Sequence, residues 1–279
     1  MIFCVAGSAS TLAGHFHARA AFLSAIILLT PGSAPSRADE SGSPPDPQSG
    51  NPPALTSARK FPENLGRNFL ALFSKKNVLP LAMGGGASAV IHLFDEEIHD
   101  SWGVPGGDTP VATVGGRVGA PYIVYPVIGG LFVGGHFSKN ERFHSFTYSL
   151  AQAAVLNEGL VQGLKAAVGR TRPDGSDNKS FPSGHAASSF MIATVLHRYY
   201  GTTVGAIGYS AATIVSFSRI RKDVHWASDL MAGATVGYIV GSTVSRRTGI
   251  TLRVGKVTFV PAFDPFHRAV GFSLHHADE

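Results

Sequence analysis

FHSFTYSLAQAAVLNEGLVQGLKAAVGRTRP, residues 143–173, decides the fold class. Apolar residues run through 143–168 without strict alternation and well beyond the length of an ordinary strand, so this stretch reads as a helix. Lys165 lies in its last turn and Pro173 stops it. Working outward, the same pattern recurs at about 77–94, 119–138, 185–200, 203–218 and 226–245, which predicts six helices in all. Small residues interrupt them, most regularly in Gly233-x-x-x-Gly237-x-x-x-Gly241, where helix backbones are expected to pack closely. From Gly249 the character changes: TLRV, KVTFV and AVGFSL are β-branched or alternating and are separated by Pro261, Asp264 and Pro265. A short β-hairpin or meander is expected there, and no internal repeat is found.

The chain has 279 residues, of which 44% are hydrophobic and 15% charged. So little charge excludes a coiled coil, a solenoid of charged helices and an acidic disordered protein. A single cysteine, Cys4, excludes a disulfide scaffold, a zinc ribbon and a catalytic cysteine in the body of the chain. The net charge of +5 comes without a Lys/Arg-rich block, which favours an anionic small substrate or a membrane surface over nucleic acid.

The N-terminus reads as an export signal. His15, His17 and Arg19 precede the apolar run 20–29 (AAFLSAIILL), Pro31 breaks it, and the small residues of SAPSRA end at Ala38 as the last cleavage site. Removal of residues 1–38 takes away two arginines and no acid, leaving +3. Residues 39–62 are rich in Pro, Ser and Gly and read as a tether. The expected division is therefore a signal peptide at 1–38, a linker and lead-in at 39–76, a helical domain at 77–248 and a β-like tail at 249–279. Export to the periplasm or cell envelope follows. The apolar stretches are about as long as a bilayer is thick. Lys75, Lys76, Lys139, Arg142, Arg198, Arg246 and Arg247 fall at one set of helix ends, which would mark a cytoplasmic side. A cleaved signal places Lys75 and Lys76 outside, so the two readings of topology oppose each other, and soluble and membrane-associated forms both stay open.

Three segments concentrate cationic and imidazole groups at helix ends: KAAVGRTRP (165–173), FPSGH (181–185) and SRIRKDVHWASD (218–229). His225 and Asp229, four apart, share a helix face, so the carboxylate is placed to take the Nδ1 proton and leave Nε2 as a nucleophile or base. Arg219 reaches the same point from the preceding turn. Ser183 is a good N-cap and Gly184 permits close approach of a ligand, so the amides opening the next helix would face an anion. His185 falls in that first turn, where a protonated imidazole pairs with an oxyanion. Arg172 can grip an oxygen pair and Lys165 acts as a point charge. Each signal alone fits an ordinary capped or charge-complemented helix end. Together, three cations, two histidines and the Ser183 and Gly184 donors suit a phosphate, which carries about −2, and the charge on the equatorial oxygens of its transition state. These segments hold no acidic cluster for a divalent metal, so the cations would take its place.

In this order, Lys-x6-Arg-Pro, Pro-Ser-Gly-His and Ser-Arg-x5-His-x3-Asp resemble the three-part signature of the type 2 phosphatidic acid phosphatase/vanadium haloperoxidase superfamily. The match runs through Lys165, Arg172, Pro173, Pro182, Ser183, Gly184, His185, Ser218, Arg219, His225 and Asp229. The resemblance implies an all-α fold, a six-helix bundle of the acid phosphatase/haloperoxidase type, here with a short β-like C-terminal tail. It implies that His225 is phosphorylated, that Asp229 orients it and that His185 protonates the leaving alkoxide. Lys165, Arg172, Ser183, Gly184 and Arg219 would hold the phosphate oxygens. No cofactor or metal is implied, and vanadate would bind as a phosphate mimic.

The function expected is a metal-independent phosphoric monoester hydrolase with a bell-shaped pH profile, requiring protonated His185 and neutral His225. A vanadate-dependent haloperoxidase, whose relatives are considerably longer, and a non-catalytic envelope protein binding anionic lipid headgroups are the alternatives. Apolar helices around a cationic pocket fit a lipid phosphate or isoprenoid diphosphate, and an exported soluble form fits a soluble phosphomonoester. His92, Asp95, Glu96 and His99 have helical spacing that a metal could use, but a polar helix end near the cleft mouth accounts for them more simply. Phe181 and Trp226 flank the motifs and either wall the pocket or simply pack, and His275 and His276 read as exposed tail residues.

Overall fold

Glycine placed against a neighbouring backbone sets the architecture. The computed structural model describes residues 58–102, 110–247, 252–254, 257–264 and 269–276; the expected signal peptide and most of the tether lie outside them. Helices α1 (Phe61–Leu72), α2 (Val78–His92), α3 (Asp95–Trp102), α4 (Pro110–Val118), α5 (Pro121–His136), α6 (Glu141–Val168), α7 (Gly184–Arg221) and α8 (Ala227–Arg247) follow in order. Short 3-10 turns precede α1 and α2.

The all-α reading holds, and the six expected helices correspond to α2, α5, α6, the two halves of α7, and α8. The halves of α7 separate at Gly201, whose φ of 85° and ψ of −174° suit glycine and no helix. Beyond it the chain returns along itself: Tyr209 stacks on Phe190 at 5.9 Å between ring centroids, and its hydroxyl lies 3.0 Å from that of Thr194. This hairpin returns the end of α7, with Arg219, to its beginning, with His185.

Helix α8 runs parallel to the first half of α7. A Cβ on Gly233 or Gly237 would overlap the carbonyl oxygens of Ser183 and Ala187, and one on Gly241 would lie 2.9 Å from that of Met191. The glycine stripe therefore sets the interaxial distance and puts the N-termini of both helices side by side. Around this pair, Leu150, Ala153, Met191, Val195, Val240 and Val244 form the main core. A second cluster of Ile91, Ile98, Ala186, Ile220, Leu230 and Met231 lies where α2 and α3 meet α7 and α8.

Three helices were not read from the sequence. The tether ends earlier than expected, because α1 begins at Phe61 and buries Leu72 and Asn68, the latter donating to Gln152 of α6. Helices α3 and α4 are only 8 and 9 residues long, the first mostly polar and the second glycine-containing, so neither makes a long apolar stretch. In the tail, β1 (Leu252–Val254), β2 (Val257–Asp264) and β3 (Ala269–His276) pair antiparallel in the order β1-β2-β3.

Helices α2 and α5 carry exposed apolar side chains, among them Leu79, Leu81, Val90, Tyr122, Val127 and Val133. Among the described residues no single helix is long and apolar enough to cross a membrane; Lys75–His92 and Asp95–Trp102 reach that length together but are bent by 70°. Substituting valine at Gly237 should force α7 and α8 apart and cost at least about 1–3 kcal/mol, read as a lowered melting temperature beside a Val substitution at Gly85, where a Cβ meets nothing.

Candidate active site

Lys165 reaches the site because α6 ends there. The left-handed Gly169 closes the helix, its amide donating to the Lys165 carbonyl at 3.0 Å. The Lys165 ammonium donates to the Lys179 carbonyl. Burial, with the nearby charge of Arg172, lowers its pKa to about 8. The chain then loops through Arg170–Ser180, fastened by amide bonds from Arg172 to Asp177 O and from Ser180 to Arg170 O. Arg172 itself is held by Asp177, with Nε 2.7 Å from Oδ1.

Ser183 caps α7, its hydroxyl accepting from the Ala186 amide at 3.4 Å, while its own amide donates to the Asp229 carbonyl at 3.0 Å. Gly184 begins the helix, with Val161 of α6 below it. His185 is in the first turn, and its Nε2 is 3.1 Å from the Gly116 carbonyl. A carbonyl only accepts, so Nε2 carries a proton. Burial and the charge on Arg219, with smaller contributions from His225 and Arg172, outweigh that hydrogen bond and bring the His185 pKa down to about 3. The imidazole is therefore neutral at ordinary pH, contrary to the protonated state expected from the sequence. The physical reason is its burial, to which the charge of Arg219 and, less, those of His225 and Arg172 add.

Arg219, 9% exposed, closes the other side, and among the described residues its Nε has no hydrogen-bond partner. Burial, then Arg172, lowers its pKa to about 10. Helix α4 covers it: a Cβ on Gly116 would lie 2.6 Å from Nη1 of Arg219. Arg172 acts electrostatically on Lys165, His185, Arg219 and His225 alike. These five groups, from three separated segments, thus share one locality.

His225 lies just before α8 and is 3% exposed; Asp229, one turn on, is fully buried. Nδ1 of His225 stands 3.7 Å from Oδ2 of Asp229, in ion-pair range but longer than a hydrogen bond, and among the described residues it has no hydrogen-bond partner. The expected pair is present as a facing pair. Burial, with Lys165 and Arg172 adding to it, outweighs the opposing pull of Asp229 and takes the His225 pKa to about 4. For Asp229, burial works upward, but His225, the Ser180 hydroxyl and the Arg170 charge together hold it below the usual carboxylate range. A neutral imidazole facing a fixed carboxylate is the form a nitrogen nucleophile needs.

Several residues at this site were not singled out from the sequence. Ser180 and Arg170 both donate to Asp229, and Gly116 meets both His185 and Arg219. Arg170 stands inside the quoted KAAVGRTRP, but neither spacing nor charge distinguished it. Of the four residues weighed as metal ligands, His92 and Asp95 contact each other and Arg170, whereas His99 pairs with Asp223. Among the described residues no group of three His, Cys, Asp or Glu side chains is arranged to hold a metal. Trp226 places its ring under Arg170, 5.3 Å from the guanidinium carbon. Phe181 lines a groove of about 580 Å³ with Gly85, Ala89, His92, Val168 and Arg170.

The sequence model of the PAP2 superfamily matches residues 145–249, a span that contains all three segments. Lipid A 1-phosphatase of Porphyromonas gingivalis is 38% identical over 110 residues, covering 38% of this chain and 25% of that protein. A PA-phosphatase related-family protein of Dictyostelium discoideum is 28% identical over 138 residues, covering 38% of this chain and 51% of its own length. The chain thus spans a quarter and about half of these two curated relatives. Among solved structures, Aquifex aeolicus LpxE has a TM-score of 0.44 at 26% identity, covering 54% of this chain and 94% of that one. The first transmembrane PAP2 type phosphatidylglycerolphosphate phosphatase from Bacillus subtilis gives 0.44 at 24% identity, covering 67% and 94%.

Inorganic phosphate should bind at this cluster and weaken as pH rises through about 8, where Lys165 loses its charge. Calorimetric titration of Lys165→Met should show weaker binding without that alkaline loss.

Proposed function

We propose, from the match of residues 145–249 to the sequence model of the PAP2 superfamily, that the protein is a metal-independent phosphatase acting on lipid phosphates through a phosphohistidine at His225. The observation that carries this reading is the convergence of Lys165, Arg172 and Arg219 on two neutral histidines at the paired N-termini of α7 and α8. A cluster of like charges that is partly buried, as this one is with Arg219 buried and Lys165 and Arg172 half-buried, is costly unless an anion joins it, and a phosphate of charge about −2 offsets it.

The steps follow from the positions. The oxygens of the phosphoryl group lie among Lys165, Arg172, Arg219, the Ser183 hydroxyl and the Gly184 amide, which counter the charge developing on them in the transition state. Nε2 of His225 attacks phosphorus as the ester P–O bond breaks, while Asp229 keeps Nδ1 facing it. The leaving oxygen takes a proton from His185. That proton arrives with the substrate: the negative charge of the bound phosphate opposes the burial and the Arg219 charge that hold His185 neutral, so a monoanionic ester delivers its proton to the imidazole. Water then attacks phosphorus, the N–P bond breaks, and His185 accepts the proton released. Neither step calls for a metal, because the cations supply the charge compensation one would provide.

A lipid substrate is supported by the name of the Porphyromonas gingivalis relative and by the exposed apolar surfaces of α2 and α5, which suit contact with a lipid surface. Lipid phosphates and isoprenoid diphosphates share the chemistry required: a phosphoryl group on an apolar tail.

His225→Ala should lower kcat by at least about a thousandfold, and a metal chelator should leave wild-type turnover unchanged. The acid limb of kcat/KM should fall near pH 4, since protonated His225 cannot attack. The alkaline limb should have its midpoint near pH 8, as Lys165 loses its charge. Near-normal turnover by His225→Ala, or a flat profile, would refute the mechanism.

A further inference from the structure

Resting on that phosphatase reading, we propose that Arg170 and Asp95 are positioning residues that fix the Asp229 carboxylate toward His225. Neither belongs to the signature segments' matched positions, and Asp95 comes from α3, 75 residues before Arg170.

Arg170 lies between two buried carboxylates. Nη1 donates to Oδ1 of Asp229 at 2.8 Å and to the Ser228 hydroxyl at 2.7 Å. Nη2 is 2.8 Å from Oδ2 of Asp95 and 3.1 Å from Nδ1 of His92. Below the guanidinium is the Trp226 ring, itself anchored by an indole N–H bond of 2.9 Å to the Thr171 carbonyl. Both terminal nitrogens are engaged, which separates Arg170 from Arg219, whose Nε lacks a partner. The role that remains is structural charge: a planar fork locked between two acids orients both of them.

Asp95, 3% exposed, does for α8 what a local cap would. Its Oδ1 accepts from the Ser228 amide at 2.9 Å, and its Oδ2 accepts from the Ser228 hydroxyl as well as from Arg170. The first turn of α8, which carries Asp229, is thereby tied to α3. On Asp229, Oδ2 takes the Ser180 hydroxyl and the Trp226 amide while Oδ1 takes Arg170. With these donors in place the carboxylate cannot rotate, and its Oδ2 stays turned toward His225 Nδ1. Second partners of this kind orient functional side chains and tune their basicity.

The charges facing His225 are Asp229 with Arg170 behind it, Lys165 from α6, Arg172 from the following loop and His185 from α7. Asp95 from α3 and His92 from α2 lie behind Arg170, and Arg219 at the end of α7 acts on His185. Removing Arg170 leaves Asp229 uncompensated, which favours imidazolium at His225. Removing the Asp95 charge does the opposite, because Arg170 then answers to Asp229 alone.

The test uses p-nitrophenyl phosphate turnover together with NMR titration of the His225 imidazole in the full chain. Arg170→Gln should lower kcat by about 10- to 100-fold with KM changed less than about threefold, and should move both the acid limb and the His225 titration to higher pH. Asp95→Asn should move them to lower pH, and Arg170→Lys should restore the wild-type midpoint with part of kcat. Scaled but unshifted profiles, or an unmoved His225 titration in folded Arg170→Gln, overturn the proposal. If Arg170→Gln does not fold, Asp95→Asn against Arg170→Lys decides by the same criterion. A wild type that hydrolyses no phosphate ester, with His225 still shifting as described, overturns the phosphatase reading and leaves the positioning role standing.

Discussion

The backbone of α8 lies directly on the first half of α7, and the rest of the site depends on that contact. Gly233 and Gly237 leave no room for a Cβ against the Ser183 and Ala187 carbonyls, so the helices run parallel with their first turns adjacent. His185 and His225, 40 positions apart in the chain, become neighbours because each opens one of these helices. The reversal at Gly201 then returns Arg219 to the same end. Lys165 arrives as the last turn of α6, against which Gly184 packs through Val161. One close approach and one helical hairpin thus gather residues from three segments.

Electrostatics explains why such a gathering is tolerated and what it is for. Burial, then the charge of Arg172, lowers the pKa of Lys165 and of Arg219, and burial, with neighbouring cations adding to it, keeps His185 and His225 neutral. The acids are largely held by other groups: Asp229 and Asp95 pair with Arg170, and Asp177 accepts from the Nε of Arg172. Buried polar groups are ordinarily paired, yet Arg219 Nε is not. The excess of positive charge therefore gathers at one place, which is what the proposed binding of a tetrahedral oxyanion requires.

Much of this was legible in the sequence. The long apolar stretches became α2, α5, α6, α7 and α8 because they are too long, and too little alternating, for strands, and Gly201 divided α7 between the two expected halves. Helices α1, α3 and α4 escaped: α1 begins at Phe61-Pro62 within a Pro-rich lead-in and buries a polar Asn68–Gln152 pair, and α3 is dominated by Asp95, Glu96, Glu97 and Asp100. The matched motif positions identified the cationic locality, but not the state of its groups. A neutral His185 follows from burial beside Arg219, which no spacing reports. Nor could the Arg170–Asp95 ion pair be read, since its partners meet only once α3 has folded against α8.

The central claim is that His225 carries the phosphoryl group between two displacements. Rapid alkaline quenching during turnover of a lipid phosphate, followed by mass spectrometry of the peptide spanning residues 222–246, tests it most directly. The account predicts a phosphoryl group on His225 that appears with substrate and decays as phosphate is released. Turnover with no phosphorylated His225 at any quench time, or with the group on another side chain, would contradict it.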